Sequence, residues 1–281
     1  MKEILVPVNL RADYENLLAY AKSVAIRTDA RITFFYAGTR RLLKGATTYE
    51  QPESLASFYR RIKQGQMRQL IQQLFEEMEH ARINFRFHYY LGNSLRGIKR
   101  ECRTTHYDLL ILGTQYTEGW RGYVEGALAS KLIGEVNTPV FVVPTRTDFS
   151  QIEHITYAID LAHYDPNIIH QVKSIAGIFD ARLTIIHVNM NEETGKEQYL
   201  DSLEKTISDT IDYPKVYYKF FDHKDIFTGI QNFVQQNNAN MVAMTNRKKF
   251  SWRGFFSSNS LTRKMTQNLS VPVLAFSKHT V

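Results

Sequence analysis

Three residues in the second half of the chain carry side chains that are used in acid–base chemistry. Asp160, His163 and Asp165 follow the apolar run 155–159, in the loop after a predicted strand, where open α/β sheets bind ligands. A carboxylate near an imidazole can transfer protons in general acid–base catalysis. Asp165 also precedes Pro166, a pair typical of a helix start, because the carboxylate accepts hydrogen bonds from first-turn amides. We interpret Asp165 as a helix cap and keep the acid–base group as the weaker hypothesis.

Other catalytic and metal-binding patterns are missing from the sequence. The nine histidines show no zinc-ligand spacing with cysteine or carboxylate clusters. There is neither a G-x-S-x-G elbow nor a G-x-x-x-x-G-K-S/T phosphate loop. Cys102 is the only cysteine, so an internal disulfide is excluded. We therefore predict no metal site and assign no catalytic residue, and a reducing, cytoplasmic location fits best.

The composition suits a soluble protein with room for two cores. The chain has 281 residues, of which 43% are hydrophobic. Its apolar runs are strand-length, far below the roughly 20 residues of a membrane helix, and its first residues do not form an export signal. The net charge of +7 raises the expectation of an anionic partner only modestly, because the basic groups are short and fit a solvated surface.

Short, continuous apolar runs alternate with helical patterns along the whole chain. Runs that do not alternate in polarity are typical of strands buried on both faces of a parallel sheet. The predicted strands cover residues 4–8, 32–36, 85–91, 109–112 and 140–143, then 155–159, 183–188, 216–221, 241–244 and 271–276. The predicted helices cover 17–25, 52–80, 95–102 and 127–136, then 166–179, 192–211, 224–236 and 261–269. We expect a loop at 44–51, and packing roles for Tyr89, Tyr90, Tyr217 and Tyr218.

The chain contains an internal repeat, which predicts two copies of one fold. Residues 4–38 align without a gap to residues 155–189, and Asp29-Ala30-Arg31 recurs as Asp180-Ala181-Arg182. The copies also end alike, since DLLILGT from Asp108 matches NMVAMTN from Asn240. We predict two tandem domains, 1–146 and 152–281, joined by a short polar linker that keeps them packed together.

Several segments carry a family resemblance. They are ILVPVN from Ile4, the stretch 111–144, IIHV from Ile185, and the proline that precedes each final strand at Pro139 and Pro272. With these segments the chain resembles the universal stress protein family in a tandem form. The resemblance implies two open parallel-sheet α/β domains, Rossmann-like and similar to the adenine nucleotide alpha hydrolase fold. It also implies an internal pseudo-dimer paired through the last strands, a cytoplasmic stress-response role and, in many members, ATP binding.

The ATP-binding members of that family carry a loop of the form G-x-x-G, nine residues, then G-S/T, together with an aspartate after the first strand. Glycines of this kind let backbone N–H groups approach phosphate. In the first half Gly113 and Gly126 match the outer glycines, but Tyr116 replaces the middle one, Ala127 replaces the hydroxyl residue and Asn9 replaces the aspartate. The resemblance therefore implies a weakened site in this half.

The second half retains the other parts of the same site. Asp160 matches the aspartate, and Ser260 and Thr262 can supply hydroxyl groups. The three glycines are replaced by Thr245, Lys248 and Asn259. Neither half therefore has a complete phosphate loop.

Two interpretations of the second loop compete. In one, side-chain cations substitute for the lost amides and hold ATP, ADP or another anion; these cations are Arg247, Lys248, Lys249 and Arg253. In the other, which we slightly favour, the pocket has decayed, because replacing glycine removes conformations with positive φ that lysine does not restore.

The function predicted from these residues is a non-enzymatic, regulatory stress-response role with degenerate nucleotide sites, in which the second half is the better candidate for ligand. The alternatives are a weak nucleotide hydrolase that uses Asp160, Ser260 and Thr262, and a nucleic-acid-binding module whose affinity would fall steeply with salt. A further homodimer is left open, and a membrane partner is not expected.

Overall fold

A computed structural model describes residues 1–8, 14–38, 49–50, 65–114, 127–144, 148–160, 164–190, 205, 207, 211–246, 261, 264–266 and 268–277. The strands are β1 (Glu3–Val8), β2 (Arg31–Gly38), β3 (Tyr49–Glu50), β4 (Phe85–Leu91), β5 (Leu109–Gly113), β6 (Val140–Val143), β7 (His154–Ala158), β8 (Arg182–Asn189), β9 (Val216–Asp222), β10 (Met241–Asn246) and β11 (Val273–Ser277). The helices with described bounds are α1 (Glu15–Thr28), α2 (Gly65–His80), α3 (Ser94–Thr104), α4 (Ala127–Leu132), α5 (Pro166–Phe179) and α6 (Ile226–Gln236).

The strands form one sheet of eleven, in the order β3-β4-β2-β1-β5-β6-β11-β10-β7-β8-β9. Neighbours within each half are parallel, apart from the two-residue β3, which runs antiparallel to β4. The halves meet where β6 pairs antiparallel with β11, with Leu274 opposite Phe141. The two α/β sheets expected from the sequence are therefore continuous, and the internal pseudo-dimer is confirmed.

Helices cover both faces of this sheet, and an apolar core lies on each face. One core includes α1 and α5 with residues such as Val6, Phe34 and Ile185, and the other packs under α3 and α6 with residues such as Leu112 and Val242. Strands covered on both faces explain why the apolar runs of the sequence do not alternate.

Helices α1 and α5 end in the same way because their ends are copies of one sequence. Asp29 and Asp180 both adopt left-handed backbone, with φ of 51° and 53°. The next residue then donates back to the helix, Ala30 to the Ala25 carbonyl at 3.2 Å and Ala181 to the Ala176 carbonyl at 2.9 Å. Aspartate tolerates this conformation better than most residues, so the repeated Asp-Ala-Arg is a turn that leads into β2 and β8.

A second repeated feature is a pair of hydrogen bonds that anchors the start of each half. The Asp108 carboxylate accepts from the backbone N–H groups of Lys2 and Glu3 at 2.6 and 2.9 Å. In the other half the Asn240 side-chain oxygen accepts from the N–H groups of Glu153 and His154, both at 3.0 Å. The beginning of the first strand in each half is thus bonded to the residue that precedes β5 or β10.

The predicted strands are confirmed, and so are four of the eight predicted helices, 17–25, 95–102, 166–179 and 224–236. There are four differences. Residues 49–50 form a short strand where a loop was expected. The helix expected at 127–136 ends at Leu132, because Gly134 adopts φ of 84°. The last strand begins at Val273, two residues later than expected. Tyr217 was expected to pack, but its side chain is 53% exposed at the sheet edge.

Other expectations fall partly outside the described residues. The long helix predicted at 52–80 is described only over Gly65–His80. Of the helices predicted at 192–211 and 261–269, only scattered helical positions are described. Within the described residues, no helix is long and apolar enough to cross a membrane.

Candidate functional site

Each half of the sheet has one point where the strand order reverses. In the first half the chain moves from β1 outward to β2 and β4 and then returns to the other side of β1 as β5. In the second half β7 is flanked in the same way by β8 and β10. The crevice outside the carboxyl ends of the two strands at such a point is the usual ligand site of an open α/β sheet. The candidate sites therefore lie at the ends of β1 and β5, and of β7 and β10.

Asp160 lies at this point in the second half. Ala158 pairs with Met244, so continuing the register by two residues places Asp160 opposite Asn246, the last residue of β10. The segment that carries Arg247 and Lys248 begins with the next residue. Asp160 is half-buried, and it lies in register with the last residue of β10 before the basic segment of the sequence.

The backbone before Asp160 is held by the neighbouring strand. The Ile159 N–H donates to the Ile186 carbonyl at 2.9 Å, and the Ile159 carbonyl lies 3.1 Å from His187 Nδ1. A carbonyl only accepts, so Nδ1 of His187 carries the proton. His187 therefore forms a structural hydrogen bond that holds the backbone just before Asp160.

Thr245 stands in the second half at the position of Gly113, and its side chain is anchored. Its hydroxyl lies 3.1 Å from the hydroxyl of Tyr157, on the neighbouring strand β7. The replacement of glycine therefore adds a polar group that is fixed between β7 and β10.

The carboxyl ends of β10 and β11 are bonded to the other half of the molecule. The Asn246 side-chain amide donates to the Ile133 carbonyl at 3.3 Å, and the Ser277 hydroxyl donates to the Val136 carbonyl at 2.9 Å. Asn246 and Ser277 are both buried. The first half therefore holds Asn246, the last described residue before the basic segment of the sequence, a relation that only the pairing of the two halves creates.

The first half differs at the same edge. Continuing its register places Val8 opposite Gly113, so Gly113 ends β5 at the switch point. Tyr36 occupies the position that His187 holds in the second copy, and its ring stacks on Tyr89 with centroids 5.8 Å apart. Burial raises the pKa of Tyr36 to about 12, so this phenol is neutral. This edge combines a glycine with a neutral aromatic side chain.

The structure describes two of the eight predicted site residues, Asp160 and Gly113, and they belong to separate edges in opposite halves. The other six, Asn9, Gly126, Arg247, Lys248, Ser260 and Thr262, lie outside the described residues.

Of the acid–base group, His163 also lies outside the described residues, while Asp165 is confirmed as a helix cap. The Asp165 carboxylate accepts from the Asn167 N–H at 3.0 Å, with proline at the start of the helix. No group of three or more metal-binding side chains occurs in the described part of the chain.

The sequence model of the universal stress protein family matches residues 1–144, just over half of the 281 residues. The chain belongs to the universal stress protein family. Its second half belongs to the same fold by duplication and by strand order. No curated protein matches the sequence.

Solved structures with the same fold cover nearly the whole chain. A universal stress protein from Archaeoglobus fulgidus is 14% identical, with 98% of each chain covered and a TM-score of 0.72. A putative universal stress protein from Pseudomonas aeruginosa is 16% identical, covering 98% of this chain and 93% of its own, with a TM-score of 0.65. The cytoplasmic domain of a prokaryotic cation chloride cotransporter is 8% identical, covering 98% and 94%, with a TM-score of 0.55. At these identities the likeness establishes the tandem fold and leaves the ligand to be argued from the site.

Proposed function

We propose that this chain is a non-enzymatic, regulatory stress-response protein whose second half binds ATP, ADP or a related anion at the switch point between β7 and β10. The first half acts mainly as its built-in dimer partner. Membership of the family supports a regulatory role. The difference between the residues at the two switch points supports the second half as the half that binds the ligand.

The position of Asp160 carries this proposal. It lies two residues after the end of β7 at the switch point, in register with Asn246, and the sequence continues from Asn246 into Arg247-Lys248-Lys249. A carboxylate there can accept hydrogen bonds from an adenine or ribose group, while the basic side chains of the loop pair with phosphates. The first half has the neutral Asn9 at the position of Asp160 and no basic group at the start of its loop.

A binding role needs only these groups. Hydrolysis would also need a base that is positioned on an attacking water molecule, which is a stricter geometric demand. The binding function is therefore the one that the retained residues support best.

Calorimetric titration of the full chain with ATP, ADP and AMP tests the proposal. We expect about one equivalent of binding, and an Asp160→Ala variant that binds about tenfold more weakly, the effect of losing roughly one charge-assisted hydrogen bond. A Lys248→Ala variant should lose affinity for ATP more than for AMP. The matched control is Asn9→Ala, which removes the corresponding side chain of the first half and should leave binding unchanged.

Three results would count against this function. Absence of binding heat for the wild type would exclude the ligand, and phosphate release under the same conditions would replace the binding role with hydrolysis. An equal loss in the Asn9→Ala variant would move the site to the first half.

We also propose that the domains extend over residues 1–146 and 152–281. The β6–β11 ladder and the bonds from Asn246 and Ser277 support strong pairing between them. Two fragments with these bounds should form a one-to-one complex when they are expressed together. Sedimentation of the full chain, with a mass of 32.7 kDa or twice that value, tests a further homodimer.

A further inference from the structure

A groove of about 670 Å³ lies in the second half between helix α6 and the edge strand β9, and we call it the α6–β9 groove. Its volume falls in the range of small-molecule sites, about 300–1,000 Å³. Helix α6 lines it with one face, Gly229, Asn232, Phe233 and Gln236, which follow the i, i+3, i+4, i+7 spacing. The groove is distinct from the edge proposed above, because its floor is made at the amino ends of β7 and β8.

The floor of the groove is formed by His154, a neutral histidine that is held by two hydrogen bonds. His154 is buried, and its Nδ1 lies 3.1 Å from the Asn237 carbonyl while its Nε2 lies 2.8 Å from the Thr184 hydroxyl. The carbonyl only accepts, so Nδ1 holds the proton and Nε2 accepts from Thr184. Burial and the neighbouring Arg182 lower the pKa of His154, which keeps the ring neutral.

Arg182 is therefore left with no anionic partner among the described residues. Its guanidinium approaches His154 Nδ1 at 3.3 Å, but that nitrogen already donates to Asn237 and cannot accept. Its other contact is with the ring of Tyr217, 5.9 Å from the centroid. Among the described residues that line the groove there is a second cation, Lys219, and no aspartate or glutamate.

The corresponding place in the first half contains two carboxylates. The repeat aligns residues 3 and 31 with 154 and 182, so Glu3 stands where the second half has His154, and Arg31 where it has Arg182. Glu3 forms ion pairs with Arg31 and Arg86, both at 3.3 Å. The position of Arg86 is that of Tyr217, because Ile32 pairs with Phe85 as Leu183 pairs with Val216.

The second carboxylate is Glu101, which lies eight residues after the helix cap Asn93, as Phe233 lies eight after the cap Asp225. Glu101 is fully buried and lies 2.7 Å from His88. In the second half both carboxylates are replaced, by an imidazole and by a phenyl ring. The cations Arg182 and Lys219 consequently face an open groove instead of paired acidic side chains.

The walls of the groove add flat apolar surface. Phe221 and Phe233 stack with centroids 5.8 Å apart and planes inclined by 11°, and Tyr217 is more than half exposed. We propose that the α6–β9 groove binds a small organic carboxylate with an aromatic body. The carboxylate pairs with Arg182, whose planar guanidinium matches its geometry, and the ring lies along Tyr217 and Phe233.

Titration with 2-naphthoate, monitored by calorimetry and by amide chemical shifts, tests this site. Its neutral counterpart 2-naphthamide has the same ring and no charge. We expect saturable binding of 2-naphthoate, at least tenfold tighter than the amide, with shifts confined to residues of α6, β8 and β9. Affinity should fall as salt is raised.

Matched variants separate the charge from the ring. Arg182→Gln should weaken 2-naphthoate binding about tenfold and leave 2-naphthamide unchanged, whereas Arg31→Gln in the first half should change neither. His154→Glu introduces the carboxylate that the first half has, so it should pair with Arg182 and abolish binding.

The Arg182→Gln variant keeps the test decisive if His154→Glu does not fold. Lack of saturation at millimolar 2-naphthoate, equal affinity for acid and amide, or an equal effect of Arg31→Gln would each overturn the proposal. Excess ATP should not displace 2-naphthoate, which distinguishes this groove from the nucleotide edge.

Discussion

Helices α3 and α6 occupy equivalent positions in the two halves, but the side chains buried beneath them differ in polarity. Under α3 the Glu101 carboxylate accepts from the Tyr107 hydroxyl at 2.6 Å and contacts His88 at 2.7 Å, in a cluster that solvent does not reach. Under α6 the position of Glu101 is occupied by Phe233, which stacks on another ring. One half has a buried polar cluster where the other has an apolar wall beside an open groove.

The comparison separates two kinds of constraint. Features that shape the backbone were kept in both copies: the left-handed aspartates, the Asp108 and Asn240 anchors, and the glycines Gly97 and Gly229. Side-chain charges changed freely, because a charge needs only a local partner and can be exchanged together with it. Duplicated domains of this kind therefore keep their fold while their ligand-facing surfaces diverge.

The largest expected effect concerns the buried cluster of the first half. Glu101→Leu leaves His88 and Tyr107 without their shared acceptor, and we expect a loss of about 3–5 kcal/mol in the free energy of unfolding, the usual result of breaking a buried pair from one side. Urea denaturation measures it.

A double variant sharpens the same comparison. Glu101→Leu combined with His88→Leu removes both members of the His88–Glu101 pair, so no imidazole is left buried without its partner. We expect the double variant to be more stable than Glu101→Leu alone. If it is less stable, the cluster is held by packing rather than by its charges.

The next effect concerns the two glycines that allow a helix to approach the sheet. A Cβ at Gly97 would lie 2.6 Å from Tyr90 and 2.9 Å from Phe35, whereas at Gly229 its nearest neighbour would be Val188 at 2.9 Å. Overpacking costs about 1–3 kcal/mol, and alanine regains about 1 kcal/mol of helix propensity. Gly97→Ala should therefore be destabilising, and Gly229→Ala less so. Thermal denaturation of both variants checks the order, and the reverse order would contradict the contact geometry.

A smaller effect concerns Asp108 and Asn240, which bind the first strand of each half, at low pH. We expect a change of about 1 kcal/mol in the free energy of unfolding, similar to the contribution of one hydrogen bond. Burial raises the pKa of Asp108, but hydrogen bonds from the Lys2 and Glu3 amides outweigh it and leave the pKa lowered. A lowered carboxyl pKa adds stability above the unfolded value, near 4, and this stability disappears as the pH falls through the folded value. Asp108→Asn should remove that part of the acid dependence while keeping the neutral anchor that Asn240 provides.

Stability curves between pH 2 and pH 7 measure this change. Asn240→Asp serves as the reciprocal variant and should add acid dependence to the second half. Identical pH profiles for wild type and Asp108→Asn would show that other carboxylates govern acid unfolding.

The smallest effect should have the opposite sign. Gly177 lies in α5 on an exposed face, and a Cβ there would meet nothing within 4 Å. Gly177→Ala should raise the free energy of unfolding by about 0.5–1 kcal/mol through helix propensity alone. Calorimetric melting tests it, and a loss of stability would mean that the open space around Gly177 is needed.

Much of the fold could be predicted from local patterns. Continuous apolar runs located every strand except β3 to within two residues, and Asp165-Pro166 marked the start of α5. The end of α4 was not foreseen, because Gly134 stops the helix through a positive φ that the apolar pattern does not reveal. The site was foreseen only as a set of residue types: Asp160 lies at the expected edge, whereas the anchoring of Thr245 by Tyr157 depends on strands 88 residues apart in sequence.

By itself, the sequence determined the family, the duplication, the alternation of strands and helices, and which half kept an acidic residue after its first strand. These follow from local periodicity and from internal repetition, which need no knowledge of distant neighbours. The tertiary structure alone decided that Asn246 and Ser277 bond across the seam, and that the described residues of the groove beside Arg182 include no carboxylate. Each of these depends on pairs of residues far apart in the chain, and only folding determines the distances between them.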